Sequence, residues 1–441
     1  AFRQARNTIE RYLIDSFESD INRSVSSFPP IPAFAFQATT GPRLAVTLPP
    51  GSNLNDQVPL PRLVLNFEER GIDEADLFLI AYGDMLFDSP QIFGSPAREI
   101  GIACSTCHNR SDINRDFFIP GISVRPGGAD VDGHFFNPRF NDHRDDALDT
   151  PSLRGIRFTA PYGRDGRFGS LRDFTRNVIV NEFAGDEPTP FMLDALVSYM
   201  LEFDWLPNPL LRADGTLAES SSPAALRGEE LFNKPFSGMS GMSCATCHNP
   251  SSNFRDGLQH DIGSGKPAST GSLDSALDTP TLLNVRFTSP YMHDGSISTL
   301  EGVVEWFDER FVLRLSRRDK EDLVSYLYAI GNGVDPIEVF DTDNTLFMLF
   351  WGELSTFLST LGTLIPDRDE FHADLLLDTV IPDLIADAGA LEDTRQVPMV
   401  LELAERLTSI QAAWQNGEWS VAESLWLEYQ KLEAEYGPQF R

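Results

Sequence analysis

Cysteine is scarce in this chain, with four among 441 residues, too few for a disulfide-stapled scaffold. Basic residues are short too: 35 Lys and Arg stand against 66 Asp and Glu, a formal charge of −31. Phosphate contacts need a basic face, so this balance excludes nucleic acid as a partner. It favours solubility and would steer a basic protein partner by long-range attraction. A membrane helix needs roughly 20 apolar residues, and none is expected here. The most apolar run, Leu346 to Leu361, holds Glu353 and several Ser and Thr and reads as a buried helix. The remaining composition, 41% hydrophobic and 23% charged, is that of an ordinary globular protein. Its length leaves room for two or three domains and a sizeable core.

What is present is concentrated. All four cysteines fall in two pentapeptides, Cys104-Ser-Thr-Cys107-His108 and Cys244-Ala-Thr-Cys247-His248. C-x-x-C-H is the attachment signature of c-type haem. Its thiols add to the porphyrin vinyl groups, and the adjacent imidazole becomes the proximal iron ligand. A redox dithiol, a disulfide or half a zinc site would use the cysteines as well. None of these requires a His directly after the second Cys, and here it follows both times. Two covalent haems are expected, held by Cys104, Cys107 and His108, and by Cys244, Cys247 and His248. Such attachment is made outside the cytoplasm, so a periplasmic protein whose Ala1 is a processed terminus is expected.

A second repeat follows each pentapeptide. Leu148-Asp-Thr-Pro-Ser-Leu leads to Phe158-Thr-Ala-Pro-Tyr-Gly-Arg-Asp-Gly166. Leu277-Asp-Thr-Pro-Thr-Leu leads to Phe287-Thr-Ser-Pro-Tyr-Met-His-Asp-Gly295. Over 148–171 and 277–300, 13 of 24 positions are identical without a gap. One haem-binding unit has been duplicated. The expected fold is mainly α: an N-terminal extended arm over 1–75, tandem cytochrome c-like haem domains over 76–219 and 220–335, and a helical C-terminal domain over 336–441. Prolines at 29, 30 and 32, and again at 49 and 50, forbid regular structure in the arm. Asp73-Glu-Ala-Asp opens a helix with acidic residues in its first turn. Further helices are expected over 171–183, 191–203, 224–232 and 316–330. Val400, Leu403, Leu407, Ile410 and Trp414 recur at helical spacing, and Ser420-Val-Ala-Glu423 reads as a capping box ahead of another helix.

These paired motifs resemble the dihaem bacterial cytochrome c peroxidase superfamily, which includes the maturation enzyme MauG. The resemblance spans about 76–335. It implies a peroxide-reactive first haem and an electron-storing second one, on either side of a domain interface. Hydrogen peroxide is then reduced, or its oxidising equivalents pass to a protein substrate. Electrons would come from a small redox protein, a cytochrome c or a cupredoxin. A non-catalytic electron carrier within a larger assembly is the alternative, and the C-terminal domain would then be its docking module. The family also implies a calcium ion between the domains, which by position falls to Asp149, Thr288 and Pro290. A distal acid–base group falls near Asn181 and Glu182, offset by about two residues. His134 and His143 lie in the loop where a distal ligand of the first haem is expected.

Two departures stand out. Where the peroxidases carry Trp before the Asp-Gly of the first repeat, this chain has Arg164, with His293 as its counterpart. Both are expected at the domain interface close to haem propionates, where Arg would bond in bidentate fashion. Fourteen residues after His293, where the family supplies Met or Tyr to the second iron, stands Phe307, which cannot ligate. His260, Met292 and His372 remain as substitutes.

Overall fold

In the computed structural model, residues 48–54, 74–109, 112–140, 147–265, 276–334 and 345–440 are described. Most of the expected N-terminal arm, together with His143, lies outside them. The arm's 48–54 stretch lies on the first unit: Asn53 and Phe118 exchange backbone hydrogen bonds of 2.7 Å, and Asn114 Nδ2 donates to the Leu54 carbonyl at 2.6 Å.

The described chain is mainly helical. In the first unit, α1 (Glu74–Asp88), the motif turn α2 (Cys104–Cys107), α3 (Leu171–Asn177) and α4 (Pro190–Met200) follow in order. The second unit repeats this with α5 (Pro223–Phe232), α6 (Cys244–Cys247), α7 (Leu300–Phe311) and α8 (Arg317–Ile330). Between motif and repeat each unit forms one two-residue antiparallel ladder. These are β1 (Gly128–Ala129) with β2 (Leu148–Asp149), and β3 (Gln259–His260) with β4 (Leu277–Asp278).

The leading helix of each unit crosses the trailing one, α1 on α4 and α5 on α8. Both crossings are made on glycine. A Cβ at Gly83 would sit 1.9 Å from the Ala195 carbonyl oxygen, and one at Gly228 would sit 2.0 Å from that of Asp322. Only glycine lets the backbones approach so closely. Around these crossings, Tyr82, Met85 and Leu86 are buried in the first unit, and Phe232, Tyr326 and Ile330 in the second.

The helix expected over 171–183 changes character part-way. α3 ends at Asn177, and Val178–Glu182 continues as a π turn. Such insertions are frequent at functional sites.

The C-terminal segment is a helical bundle of α9 (Leu346–Ser359), α10 (Leu361–Asp367), α11 (Glu370–Asp387), α12 (Val397–Gln415) and α13 (Trp419–Tyr436). The periodic face of α12 is its core: Val400, Leu403, Leu407, Ile410 and Trp414 are buried. The apolar run spanning α9 and α10 is long and apolar enough to cross a membrane by composition. It packs Phe347, Leu354, Phe357 and Leu358 into the bundle interior. The capping box at Ser420 does not form. The helix begins one residue earlier, at Trp419, behind Glu418, and no side chain caps it.

The bundle sits on the first unit. One continuous apolar core joins Tyr82 and Phe191 to Leu376, Leu377, Leu403 and Trp414, while Phe232, Phe254, Leu300 and Tyr326 form a separate core in the second unit. His372, considered as a ligand to the second iron, is fully buried against the first unit instead. Its ring lies 5.8 Å from that of Tyr82 and 4.6 Å from that of Phe191.

Candidate functional site

Each C-x-x-C-H pentapeptide folds as one helical turn followed by a reversal. The threonine between the cysteines closes the turn. Thr106 Oγ1 accepts from Ala103 N–H at 2.9 Å, and Thr246 Oγ1 accepts from Ser243 N–H at 3.0 Å. Cys104 and Cys107 pack against the first core, and Cys244 packs against the second. Burial pushes the Cys104 and Cys107 thiols up to about 12 and Cys244 up to about 11. A redox dithiol needs a thiolate near neutral pH, so these are poor candidates for that chemistry.

The imidazoles are buried as well, and burial drives His108 down to about 4 and lowers His248. Both are therefore neutral near pH 7. His248 Nδ1 donates to the Phe254 carbonyl at 3.1 Å, which leaves the Nε2 lone pair for a metal. Asn253 and Phe254 hold that carbonyl in place with φ of +56° and +57°, a backbone conformation that side chains seldom adopt. The Asp112 and Pro151 carbonyls face His108, while Phe254 and Pro280 face His248. Pro151 and Pro280 are the matching Thr-Pro prolines of the repeat. Paired thiols beside a buried neutral imidazole fit a c-type haem in both units, and in the second the imidazole is also oriented by the Phe254 carbonyl.

The two repeats meet through a pseudo-twofold exchange. Asp149 N–H donates to the His293 carbonyl at 2.9 Å, and Asp278 N–H donates to the Arg164 carbonyl at 3.0 Å. Arg164, which departs from the family pattern, and its counterpart His293 thus occupy matching places between the units. The Arg164 guanidinium turns onto Asp149, donating to its carbonyl, with Nη2 4.0 Å from Oδ2.

Two arginines that the sequence reading passed over complete the exchange. Arg115 donates to the Phe287 carbonyl of the second unit. Arg255 donates to the Phe158 and Ala160 carbonyls of the first, to the Thr279 carbonyl and to Asp278 Oδ2. Each stands seven residues after its motif histidine, ahead of an aspartate, and that shared position was the available signal.

Asp149 is buried, and its Oδ1 takes no hydrogen bond from the described residues. Burial raises its carboxyl to about 7, against the pull of Arg164 and Arg125. A Cβ at Gly295 would stand 2.9 Å from the Pro290 ring and 3.1 Å from Asp149 Oδ1, so the carboxylate and Pro290 both border Gly295. A buried carboxylate oxygen is a donor that suits calcium.

Glu182 ends the π turn and is buried. Burial raises its carboxyl to about 7, with Arg167 opposing the shift and Asp132 adding to it. Asn177 Nδ2 donates to Glu182 Oε1 at 3.0 Å, Asn181 Nδ2 donates to Asn177 Oδ1 at 2.8 Å, and Arg167 Nη2 lies 3.9 Å from Oε1. Asn181 and Glu182 therefore share one network through Asn177, and Arg167 joins it from the first repeat. Ile179 and Phe183, on either side, belong to the core that also receives Cys104 and Cys107.

His134 is exposed on its loop. His260 Nε2 is engaged with Asp256 Oδ2 at 2.7 Å, and the two form a cluster with Cys247 in which the ligand-type atoms lie within 4.8 Å. Phe307 stacks on Phe311 at 5.9 Å within α7. Met292 has a φ of +73° in the second repeat.

The sequence model of the family described as di-haem cytochrome c peroxidase matches residues 223–307. Methylamine utilization protein MauG of Methylorubrum extorquens is 34% identical over 299 residues, covering 56% of this chain and 76% of that protein. Hydrazine synthase subunit gamma of Kuenenia stuttgartiensis is 24% identical over 233 residues, covering 41% of this chain; the chain spans 64% of that subunit's length. Among solved structures, the hydrazine synthase of Kuenenia stuttgartiensis aligns with a TM-score of 0.41 at 22% identity, over 66% of this chain and 99% of the other.

Proposed function

Because the chain belongs to the dihaem cytochrome c peroxidase and MauG superfamily, we propose that it is a dihaem oxidoreductase that consumes hydrogen peroxide. Its oxidising equivalents are met by electrons from a small redox protein or are passed to a protein substrate. Bound through two thioethers and one imidazole, each haem supplies an iron that binds peroxide or exchanges electrons.

The protein's part is to bind, orient and move protons. His108 and His248 would hold the two irons; burial keeps both neutral, and the Phe254 carbonyl aims His248. The reactive site belongs to the first unit, because the Glu182 network has no counterpart in the second repeat. Splitting an O–O bond requires a group that takes a proton from one oxygen and delivers it to the other. Glu182, raised to about 7, is divided between its two forms near neutral pH, as that work demands. Asn177 and Arg167 fix the carboxylate, and Asn181 holds Asn177. Calcium would bind Asp149 with the Thr288 and Pro290 carbonyls between the units. Arg164 and His293 would face the propionates. The protein acts in the periplasm, where haem is attached.

The observation that carries this reading is a buried glutamate of near-neutral pKa, on a π turn, in the core that receives the first thiol pair. Rapid-mixing kinetics of the oxidised holoprotein with peroxide test it. Glu182→Gln should slow haem oxidation by roughly 10²-fold or more. An unchanged rate removes Glu182 from the reaction.

A second reading is an electron-transfer subunit of a larger assembly, favoured by the 24% identity to a hydrazine synthase subunit. Two firmly six-coordinate haems, with no peroxide reaction at either, would select it.

A further inference from the structure

One helix of the C-terminal bundle acts on the stretch that follows Glu182 at two points. α11 presents His372 and Thr379, seven residues and thus two turns apart on one face. His372 Nε2 meets Thr189 Oγ1 at 2.9 Å, and His372 Nδ1 meets Asp369 Oδ2 at 2.8 Å. Thr189 Oγ1 caps α4 by accepting from Met192 N–H at 3.2 Å. The Asp369 carboxylate only accepts, so His372 Nδ1–H donates to it, and Nε2 faces the Thr189 hydroxyl. The bond to Thr189 fixes the downstream end of that stretch.

Thr379 acts, through Ser89, on Phe183 beside Glu182. Its Oγ1 lies 2.6 Å from Ser89 Oγ. Ser89 caps the Pro90–Ile92 turn, which leads to Gly94, and Gly94 N–H donates to the Phe183 carbonyl at 3.0 Å. Phe93 stacks on Phe183 with centroids 4.5 Å apart. Between the two anchors, Gly185 N–H donates to the Ile179 carbonyl at 2.8 Å and folds the chain back on the π turn.

We propose that α11 is a positioning element of the peroxide site: His372 through Thr189, and Thr379 through Ser89, hold residues 178–189 so that Glu182 stays at its buried station. The inference rests on reading Glu182 as the acid–base group. Neither α11 residue touches the reacting atoms; both act through the segment. It assigns the bundle a role at the first haem, through contacts that two ordinary-looking residues make across about 180 and 290 positions of sequence.

The test uses full-length holoprotein and two readouts, peroxide-driven oxidation and amide hydrogen exchange. Thr189→Val removes the hydroxyl at nearly constant volume, whereas Thr189→Ser keeps it. Thr189→Val should slow oxidation about tenfold, the scale of a small misplacement of a catalytic group. Thr189→Ser should stay near the parent. Exchange at Phe183 and Gly185 should rise in the Val variant and remain unchanged in α5 and α8. In the Glu182→Gln background, Thr189→Val should add no further slowing, since both act on one group. Full additivity in that background, or parental rate and exchange in Thr189→Val, overturns the proposal. If Glu182→Gln alone leaves the rate unchanged, the acid–base reading fails, while the exchange data still decide whether α11 holds the segment. His372→Phe, which removes the anchor but leaves the Thr189 cap on α4, should slow oxidation as Thr189→Val does. Parental rate and exchange in it would overturn the proposal; should it fail to fold, Ser89→Ala breaks the other anchor from the haem unit.

Discussion

The backbone N–H of Asp149 donates to the carbonyl of His293 at 2.9 Å, tying the ladder of the first unit to the repeat of the second. Its mirror, Asp278 to Arg164 at 3.0 Å, closes the pair. Main-chain atoms make both bonds, so neither depends on which side chain stands at position 164 or 293. The duplicated repeat thus serves twice in each unit. Its Thr-Pro carbonyl faces the proximal imidazole, and its Pro-Tyr-x-x-Asp-Gly loop receives the other unit.

Arg255 is the side chain on which this interface depends most. It and Asp278 are 6% and 10% exposed, and the guanidinium bonds carbonyls on both units. Arg255→Ala leaves Asp278 buried and uncompensated, which should cost about 3–5 kcal/mol. Arg115 is exposed, so Arg115→Ala should cost about 1 kcal/mol or less. Denaturant unfolding of the two holoproteins measures both, and equal effects would show that burial does not set the difference.

Haem content offers a direct count. Under denaturing conditions the mass of the mature protein should exceed that of the polypeptide by two haems, one for each C-x-x-C-H. Cys244→Ser with Cys247→Ser should retain one. A mass without added haem, with four free thiols, would remove the premise of every functional statement above.

Much of this was legible in the sequence because it was written in local pattern. The C-x-x-C-H turns, the 24-residue repeat and the apolar face of α12 each follow from spacing within a few turns of chain. The contacts that were not legible join distant residues through ordinary side chains. His372 resembled a spare ligand because sequence carries no record that α11 packs on α1. Arg255 looked like any charged loop residue until four acceptors from two units converged on it. Ser420 promised a cap, but the helix gains a residue at Trp419, whose ring stacks on Trp414 at 6.0 Å. Tertiary packing outweighed a capping preference worth about 1 kcal/mol.

The titration of Glu182 should be visible in stability. Its folded pKa, about 7, lies above the ordinary 4.5 because burial disfavours the charge. The neutral form is therefore the one the fold prefers. Its contribution is fully present below pH 4.5 and is lost as pH rises through 7, on the order of 3 kcal/mol in all. Glu182→Gln stays neutral throughout, so the difference in unfolding free energy between variant and parent should grow from pH 5 to pH 8. A constant difference would mean that Glu182 titrates as an ordinary surface carboxyl.

The pseudo-twofold interface also predicts how many cations it takes. Asp149 and Asp278 are repeat equivalents, each with a buried Oδ1 that accepts nothing from the described residues. Their surroundings differ. On the Asp278 side Arg255 inserts its guanidinium, bonding the carboxylate together with the Phe158 and Ala160 carbonyls. On the Asp149 side Arg115 reaches only the Phe287 carbonyl, while Arg125 and Arg164 bond the Gly295 and Asp149 carbonyls. Arg255 hydrogen-bonds the Asp278 carboxylate directly, whereas Arg164 stands 4.0 Å from Asp149 Oδ2 and spends its hydrogen bond on the backbone carbonyl, which leaves the Asp149 carboxylate more open to a cation. One calcium ion per chain is the expected content of the holoprotein after dialysis, measured by elemental analysis. Asp149→Ala should abolish it and Asp278→Ala should leave it. Retention of the ion in Asp149→Ala would place it elsewhere, and no calcium in the parent would mean that Arg115, Arg125 and Arg164 suffice to neutralise the site.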